Sequence, residues 1–289
     1  MIHKKGFIVE QYHMPCEYWL IFTIGVVAME LNLKGKNALV IASSQGLGKA
    51  VAEALVVEGA NVVITSRDEV KLQQVQEELT RVNKGHVVFF KADITKQEDI
   101  QSLVRFTVET FGSIDILVNN AGGPPGGKFE EITDDQWQGA FELNLLSYIR
   151  LIREVLPEMK QQGGRIINIA STSIKQPIPG LILSNTFRLG IVGLTKTLAV
   201  ELAPYNILIN TVAPGRISTA RTQHLDRLNA ERQGITLEEA TAQSKRTIPL
   251  GRYGTPEEFA KVVTFLVSDA STYMTGSSFM VDGGMVTAI

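Results

Sequence analysis

The sequence predicts an α/β fold: one doubly wound, seven-stranded parallel sheet with helices on both faces. Three observations carry that prediction. Short, nearly continuous apolar runs alternate with longer segments of helical period, as in a parallel sheet buried on both faces by its crossover helices. The first apolar run ends in a glycine-rich turn that opens directly into a helical segment. Of the 289 residues, 44% are apolar and 20% charged, which leaves ample material for one large core.

Taken in order, the apolar runs place strands at 37–42, 61–65, 86–91, 114–118, 165–170, 207–212 and 278–281. The helical periods place helices at 48–58, 70–82, 98–111, 135–159, 185–203 and 256–268. Right-handed crossovers join these strands into a single sheet. No Pro/Gly/Ser linker and no internal repeat breaks the rhythm, so residues 29–289 read as one domain. Residues 216–246 are charged, helical in composition and outside the rhythm. They read as a candidate lid over the ligand crevice, with an ordinary solvated hairpin as the competing reading.

Residues 1–28 precede Met29 and contain most of the apolar run 18–29. That run is shorter than the roughly 20 residues a bilayer span requires, and no clean cleavage site follows it. The segment reads as an upstream extension of doubtful nativeness, with Met29 as the natural start and no membrane partner.

The net charge is only −2, and no run of lysine or arginine offers a phosphate-backbone footprint, so nucleic acid is excluded as the main partner. Cys16 is the single cysteine, and His3, His13, His86 and His224 are scattered. No disulfide, thiolate cluster or paired-histidine metal site follows from them. A small-molecule ligand in a reducing cytoplasm is the expectation.

The turn Ala42-Ser43-Ser44-Gln45-Gly46-Leu47-Gly48 joins the first strand to the first helix. A dinucleotide pyrophosphate can sit there on backbone N–H groups and the positive helix end, as in Rossmann-type sheets, and glycine lets the backbone approach. The next strand ends at Ser66-Arg67. An acid here would hydrogen-bond the ribose hydroxyls and repel a 2′-phosphate, whereas Ser66 and Arg67 can hold that phosphate. NADP(H) is thus favoured over NAD(H).

Further motifs follow in order: Ala92-Asp93-Ile94, Asn119-Asn120-Ala121-Gly122, Asn144, Pro214-Gly215-Arg216-Ile217-Ser218-Thr219 and Val281-Asp282-Gly283-Gly284. From Met29 to Ile289 the chain resembles the short-chain dehydrogenase/reductase family, in particular bacterial 3-oxoacyl-[acyl-carrier-protein] reductases. The resemblance implies that Asp93 and Ile94 contact adenine and that Asn119, Asn120, Ala121 and Gly122 line the ribose and stabilise the central strands. It assigns Pro214, Gly215, Ile217 and Thr219 to the nicotinamide side, and implies a homotetramer, or at least a dimer, through the long helices 135–159 and 185–203. The family's Thr-Gly opening of the glycine turn is here Ile41-Ala42, and a methyl at Ala42 crowds the turn.

The family's catalytic set is a serine, a tyrosine, a lysine one helical turn beyond the tyrosine, and an asparagine. Ser171 matches the serine and Asn144 the asparagine. Thirteen positions beyond Ser171, where the tyrosine belongs, stands Ser184, and four further on, where the lysine belongs, stands Arg188. An alkyl hydroxyl is a far weaker acid than a phenol and shorter by a ring. Arg188 keeps the positive charge and can still grip the ribose, but it is effectively never deprotonated. Tyr148 and His224 are the alternative acids, each more simply read as packing or surface.

Two functions remain open on sequence alone. One is an NADP(H)-dependent oxidoreductase acting on a carbonyl or alcohol through an altered site made of Ser171, Ser184, Asn144 and Arg188. The other is a dinucleotide-binding regulatory or scaffolding protein without turnover. The loops 123–127 and 176–180 border the substrate pocket, and their apolar, backbone-rich character suggests an uncharged substrate.

Overall fold

A computed structural model describes residues 29–288; the segment 1–28, expected to be an extension, lies outside the described residues. The seven strands are β1 (Asn37–Val40), β2 (Asn61–Ser66), β3 (Val87–Lys91), β4 (Ile116–Asn119), β5 (Gly164–Ile169), β6 (Ile207–Pro214) and β7 (Ser278–Val281). They form one sheet in the order β3-β2-β1-β4-β5-β6-β7, and every neighbouring pair is parallel. This is the predicted doubly wound sheet. Its order reverses between β1 and β4, the place where ligands enter such sheets beyond the strands' carboxyl ends.

Alternation along the strands sends side chains into two apolar layers. Ala38, Val40, Val62 and Ile64 meet the helices α1 (Gly46–Val57), α2 (Glu69–Thr80) and α9 (Pro256–Val267) on one face. Leu39, Val63, Leu117 and Ile166 meet α3 (Gln97–Phe111), α5 (Ser147–Gln162) and α6 (Ile182–Leu202) on the other. Both faces being covered explains why the strands read as nearly unbroken apolar runs.

The helix expected at 135–159 is not uniform. A capping box of Thr133 and Gln136 starts α4 (Asp134–Phe141), a π turn follows at Glu142–Leu146, and α5 continues from Ser147. A π turn takes in about one residue more than an α turn, and such a widening within a long helix is not announced by the helical period of the segment as a whole. The same turn presents Asn144.

Residues beyond β6 form a hairpin of α7 (Ala220–Gln233) and α8 (Leu237–Arg246), joined by Gly234 at φ +66°. Its hub is Asp226, 1% exposed. Asp226 accepts from Arg216 Nη1 at 2.7 Å, Ser244 Oγ at 3.3 Å and Tyr253 Oη at 2.7 Å. Buried carboxylates require such satisfied surroundings, and here one carboxylate ties α7 to α8, to the end of β6 and to the segment before α9. Among the described residues no helix is long and apolar enough to cross a membrane.

Candidate active site

The turn after β1 is built for close backbone approach. A Cβ on Gly48 would stand 2.4 Å from the Ala42 carbonyl oxygen and 2.9 Å from Asn120 Nδ2, so only glycine lets α1 start against the turn. Gly46 has φ +60° and Ala42 φ +50°; Ala42 thus occupies the left-handed region with a methyl, at a cost of roughly 1–2 kcal/mol. Ser44, Gln45 and Leu47 border open space, whereas Ser43 is wholly buried. The Ser43 hydroxyl donates to the Val40 carbonyl at 2.8 Å and accepts from the Thr65 N–H at 2.9 Å. It fastens the turn to β2.

At the end of β2, Ser66 accepts from the Asp68 N–H at 3.1 Å. Arg67 is exposed and, among the described residues, forms no ion pair. Its charge is felt by Asp93. Burial pushes the Asp93 carboxyl up, but hydrogen bonds from the Thr95 N–H and hydroxyl, with Arg67 and Lys96 nearby, outweigh it and hold the group below the ordinary value. Asp93 is therefore an acceptor at neutral pH. Ile94 beside it is buried in the core.

Asn119 donates to Asn168 Oδ1 at 2.8 Å, Asn168 to Thr195 Oγ1 at 3.0 Å, and Thr195 shares a proton with Thr211 at 2.9 Å. This buried ladder couples β4, β5, α6 and β6. Asn120 reaches back to the Ala42 carbonyl at 3.3 Å, Ala121 is buried and Gly122 exposed. Across the crevice, Gly215 lets β6 turn: a Cβ there would stand 2.7 Å from Asp282 Cα, and Pro214 ends the strand. Ile217 is buried and bridges to Gly254. Thr219 caps α7, and its methyl lies 3.9 Å from where a Gly46 Cβ would stand.

The catalytic candidates converge beyond β5. Ser171 Oγ accepts from the Ser173 N–H at 3.2 Å and starts a short helical turn. That turn brings Ser173 Oγ within 3.5 Å of Ser184 Oγ, both buried. Arg188, one turn along α6 and 4% exposed, points inward. Its Nη1 donates to Tyr148 Oη at 3.0 Å and the Ile169 carbonyl at 2.8 Å, and its Nη2 to the Ala121 carbonyl at 3.1 Å. Two of the five guanidinium N–H groups remain unused by these bonds.

Tyr148 is fully buried and donates to the Ile169 carbonyl at 2.9 Å. Burial pushes its phenol above the ordinary range, with Arg188 offsetting only part of this, so it is a packing and anchoring group. His224 is exposed on α7. Asn144 is fully buried, and both its amide atoms lack a partner among the described residues; the π turn leaves that hydrogen-bonding capacity for a small polar group. Three contributors escaped the sequence reading: Ser173, Asn185, which exchanges two hydrogen bonds with the Ile178 backbone, and Arg221. Ser173, two residues after Ser171, and Asn185, next to Ser184, carried a local signal, and Arg221 carried none.

Known proteins share this architecture. The family described as Enoyl-(Acyl carrier protein) reductase matches residues 41–286. The 3-oxoacyl-[acyl-carrier-protein] reductase FabG of Vibrio cholerae is 37% identical over 256 residues, 88% of this chain and 99% of that protein. Dehydrogenase/reductase SDR family member 4 of Caenorhabditis elegans is 37% identical over 258 residues, 88% of this chain and 96% of that one. Among solved structures, L-sorbose reductase from Gluconobacter frateurii, complexed with NADPH and L-sorbose, superposes with a TM-score of 0.85 at 31% identity, covering 90% of this chain and 99% of that one. A tryptophan-substituted variant of actinorhodin polyketide ketoreductase with NADPH gives 0.84 at 33% identity, covering 86% and 97%. Sheet order, glycine turn and these relatives together place the chain in the short-chain dehydrogenase/reductase family of oxidoreductases.

Proposed function

We propose that this chain is an NADP(H)-dependent oxidoreductase that interconverts a carbonyl and an alcohol through an altered catalytic site. The observation that carries the reading is the backbone cradle at Gly48, which a single Cβ would fill, opposite an exposed Arg67 where an acid would select NAD(H). NADPH in the two reductase structures, and carbonyl substrates in the relatives' names, support it. Ala42, Ser43, Ser44, Gln45, Gly46, Leu47 and Gly48 form the pyrophosphate turn, Ser66 and Arg67 the phosphate end, and Asp93 and Ile94 the adenine edge. Asn120, Ala121, Gly122, Pro214, Gly215, Ile217 and Thr219 line the rest, with residues 216–246 as lid.

A nicotinamide held in this crevice would supply or take up hydride. Ser171 and Ser184 orient the reacting oxygen, and Ser184 Oγ, backed by Ser173, holds the proton there. Arg188 keeps a positive charge beneath, with its unused N–H groups available to the ribose. A broad carbonyl and alcohol screen following NADPH absorbance tests this. Turnover lost in Ser184→Ala with NADPH affinity nearly unchanged is the expected result, and activity that survives Ser184→Ala places the acid elsewhere.

The second reading, a dinucleotide-binding protein without turnover, is favoured by one observation: three of the five Arg188 N–H groups are committed to two carbonyls and the Tyr148 hydroxyl. Complete silence in the screen with tight NADPH binding selects it.

Cofactor choice is tested at Arg67. Arg67→Asp removes a phosphate-pairing cation and adds a repelling carboxylate, so NADPH affinity is expected to fall at least about tenfold more than NADH affinity. Equal losses mean that Arg67 does not read the phosphate.

The chain is also proposed to assemble as a homotetramer, or at least a dimer. On α6, Leu189 and Val200 are 55% and 77% exposed and share one helical face with Gly193 and Lys196. Two exposed apolar side chains on either side of a small residue and a lysine suit an isologous pairing of two copies. Light scattering at micromolar concentration is expected to give a multiple of the chain mass; a monomer contradicts the assembly.

A further inference from the structure

We propose that Arg221 binds a carboxylate on the substrate, so that the substrate of this crevice is an oxo or hydroxy acid. The inference deepens the oxidoreductase reading and rests on it.

Arg221 is half-buried in the first turn of α7. Its Nη2 donates to the Pro124 carbonyl at 2.9 Å, and a Cβ on Gly123 would meet that nitrogen at 3.1 Å. The guanidinium therefore lies across the loop that leaves β4 just after Gly122. Arg216 is paired with Asp226 at 2.7 Å and Arg252 with Glu258 at 2.7 Å, while Arg232, also on α7, has its Nη1 3.6 Å from where a Gly180 Cβ would stand. Arg221 has no carboxylate partner among the described residues, and the loop's own Glu131 is spent on the Lys128 N–H at 2.8 Å. Burial lowers its pKa with no neighbouring acid to oppose the shift. A half-desolvated cation held only by a neutral carbonyl has strong unused capacity for an anion.

Position separates this anion from the dinucleotide pyrophosphate. Thr219, the N-cap of α7, meets the glycine turn at Gly46, whereas the Arg221 guanidinium lies against Gly123 and the Pro124 carbonyl. Arg221 accordingly faces the substrate-bordering loops, which are themselves joined where the Gly127 N–H donates to the Gly180 carbonyl at 2.8 Å. Those loops carry no cation over the pocket themselves and suggested an uncharged substrate. The charge is delivered from the lid, about a hundred residues away in sequence.

The test uses the full chain with saturating NADP⁺ and a calorimetric titration of short 2-oxo, 3-oxo, 2-hydroxy and 3-hydroxy acids, each beside its methyl ester. At least one acid is expected to bind about tenfold or more tighter than its ester. That preference is expected to vanish in R221Q, which keeps a donor for Pro124, and to be partly retained in R221K. R221L repeats the measurement should R221Q fold poorly. No acid preference in the native chain, or the same preference in R221Q, overturns the proposal. A loss of NADPH affinity in R221Q, with acid preference intact, assigns Arg221 to the pyrophosphate and overturns it too. Failure of the native chain to bind NADPH instead sinks the oxidoreductase reading itself.

Discussion

The double variant Ser184→Tyr with Arg188→Lys is expected to reduce simple carbonyl compounds with NADPH about 10² to 10⁴ times faster than the starting protein, the usual worth of a positioned general acid. The two positions are one turn apart on α6, so their side chains share a face. Ser184 Oγ already sits beside Ser173 Oγ at 3.5 Å; a phenol there is longer by a ring, the length that an alkyl hydroxyl lacks. A lysine at 188 supplies a cation one turn away, which pulls a phenol from about 10 toward neutrality. Arg188→Lys also gives up part of the guanidinium's hold on Tyr148, Ile169 and Ala121. Tyr148 keeps its own bond to the Ile169 carbonyl, so the strand ends retain one anchor. The progress of NADPH oxidation, measured for both single variants and the double, checks this. No gain in a double variant that still binds NADPH means that more than the acid differs from an active reductase.

The sheet was legible because its determinants are local. Nearly unbroken apolar strands, the glycine turn and Ser66-Arg67 each follow from a few adjacent residues. The crowding at Ala42 was legible as a methyl where the family has glycine, and it is met by a left-handed backbone at φ +50° that a Cβ disfavours. What the sequence hid depends on distant partners. Arg188 looks like a free cation until Tyr148, 40 residues earlier, and the carbonyl of Ala121, 67 residues earlier, come under it. Ser43 reads as a pyrophosphate contact, yet Val40 and Thr65 claim its hydroxyl. The π turn at Glu142–Leu146 interrupts a helix that the sequence period reads as continuous. Arg221 acquires meaning only when α7 folds back on Pro124.

Arg188→Ala is expected to destabilise the protein by about 2–4 kcal/mol, from three lost bonds to a charged donor and the space left behind. For a chain of this size that lowers the melting temperature by roughly 5–15 °C. Two effects oppose each other here. Removing a buried guanidinium recovers its desolvation cost, and where a buried charge is merely paired, apolar replacement is often neutral. Arg188 is different because its acceptors are fixed: the Ala121 carbonyl belongs to the turn after β4, the Ile169 carbonyl to the end of β5, and neither can move to water without opening the crevice. The stranded acceptors and the cavity therefore win. Tyr148→Phe removes only the hydroxyl, leaves Arg188 its two carbonyls, and is expected to cost nearer 1 kcal/mol. A double-mutant cycle between the two sites should return a coupling of about 0.5–1.5 kcal/mol, as for neighbours sharing one bond. Thermal denaturation run beside NADPH titration decides the role of the arginine. A large fall in melting temperature identifies it as the clamp between the ends of β4 and β5. An unchanged melting temperature with NADPH binding abolished means that its guanidinium is spent on the cofactor ribose instead.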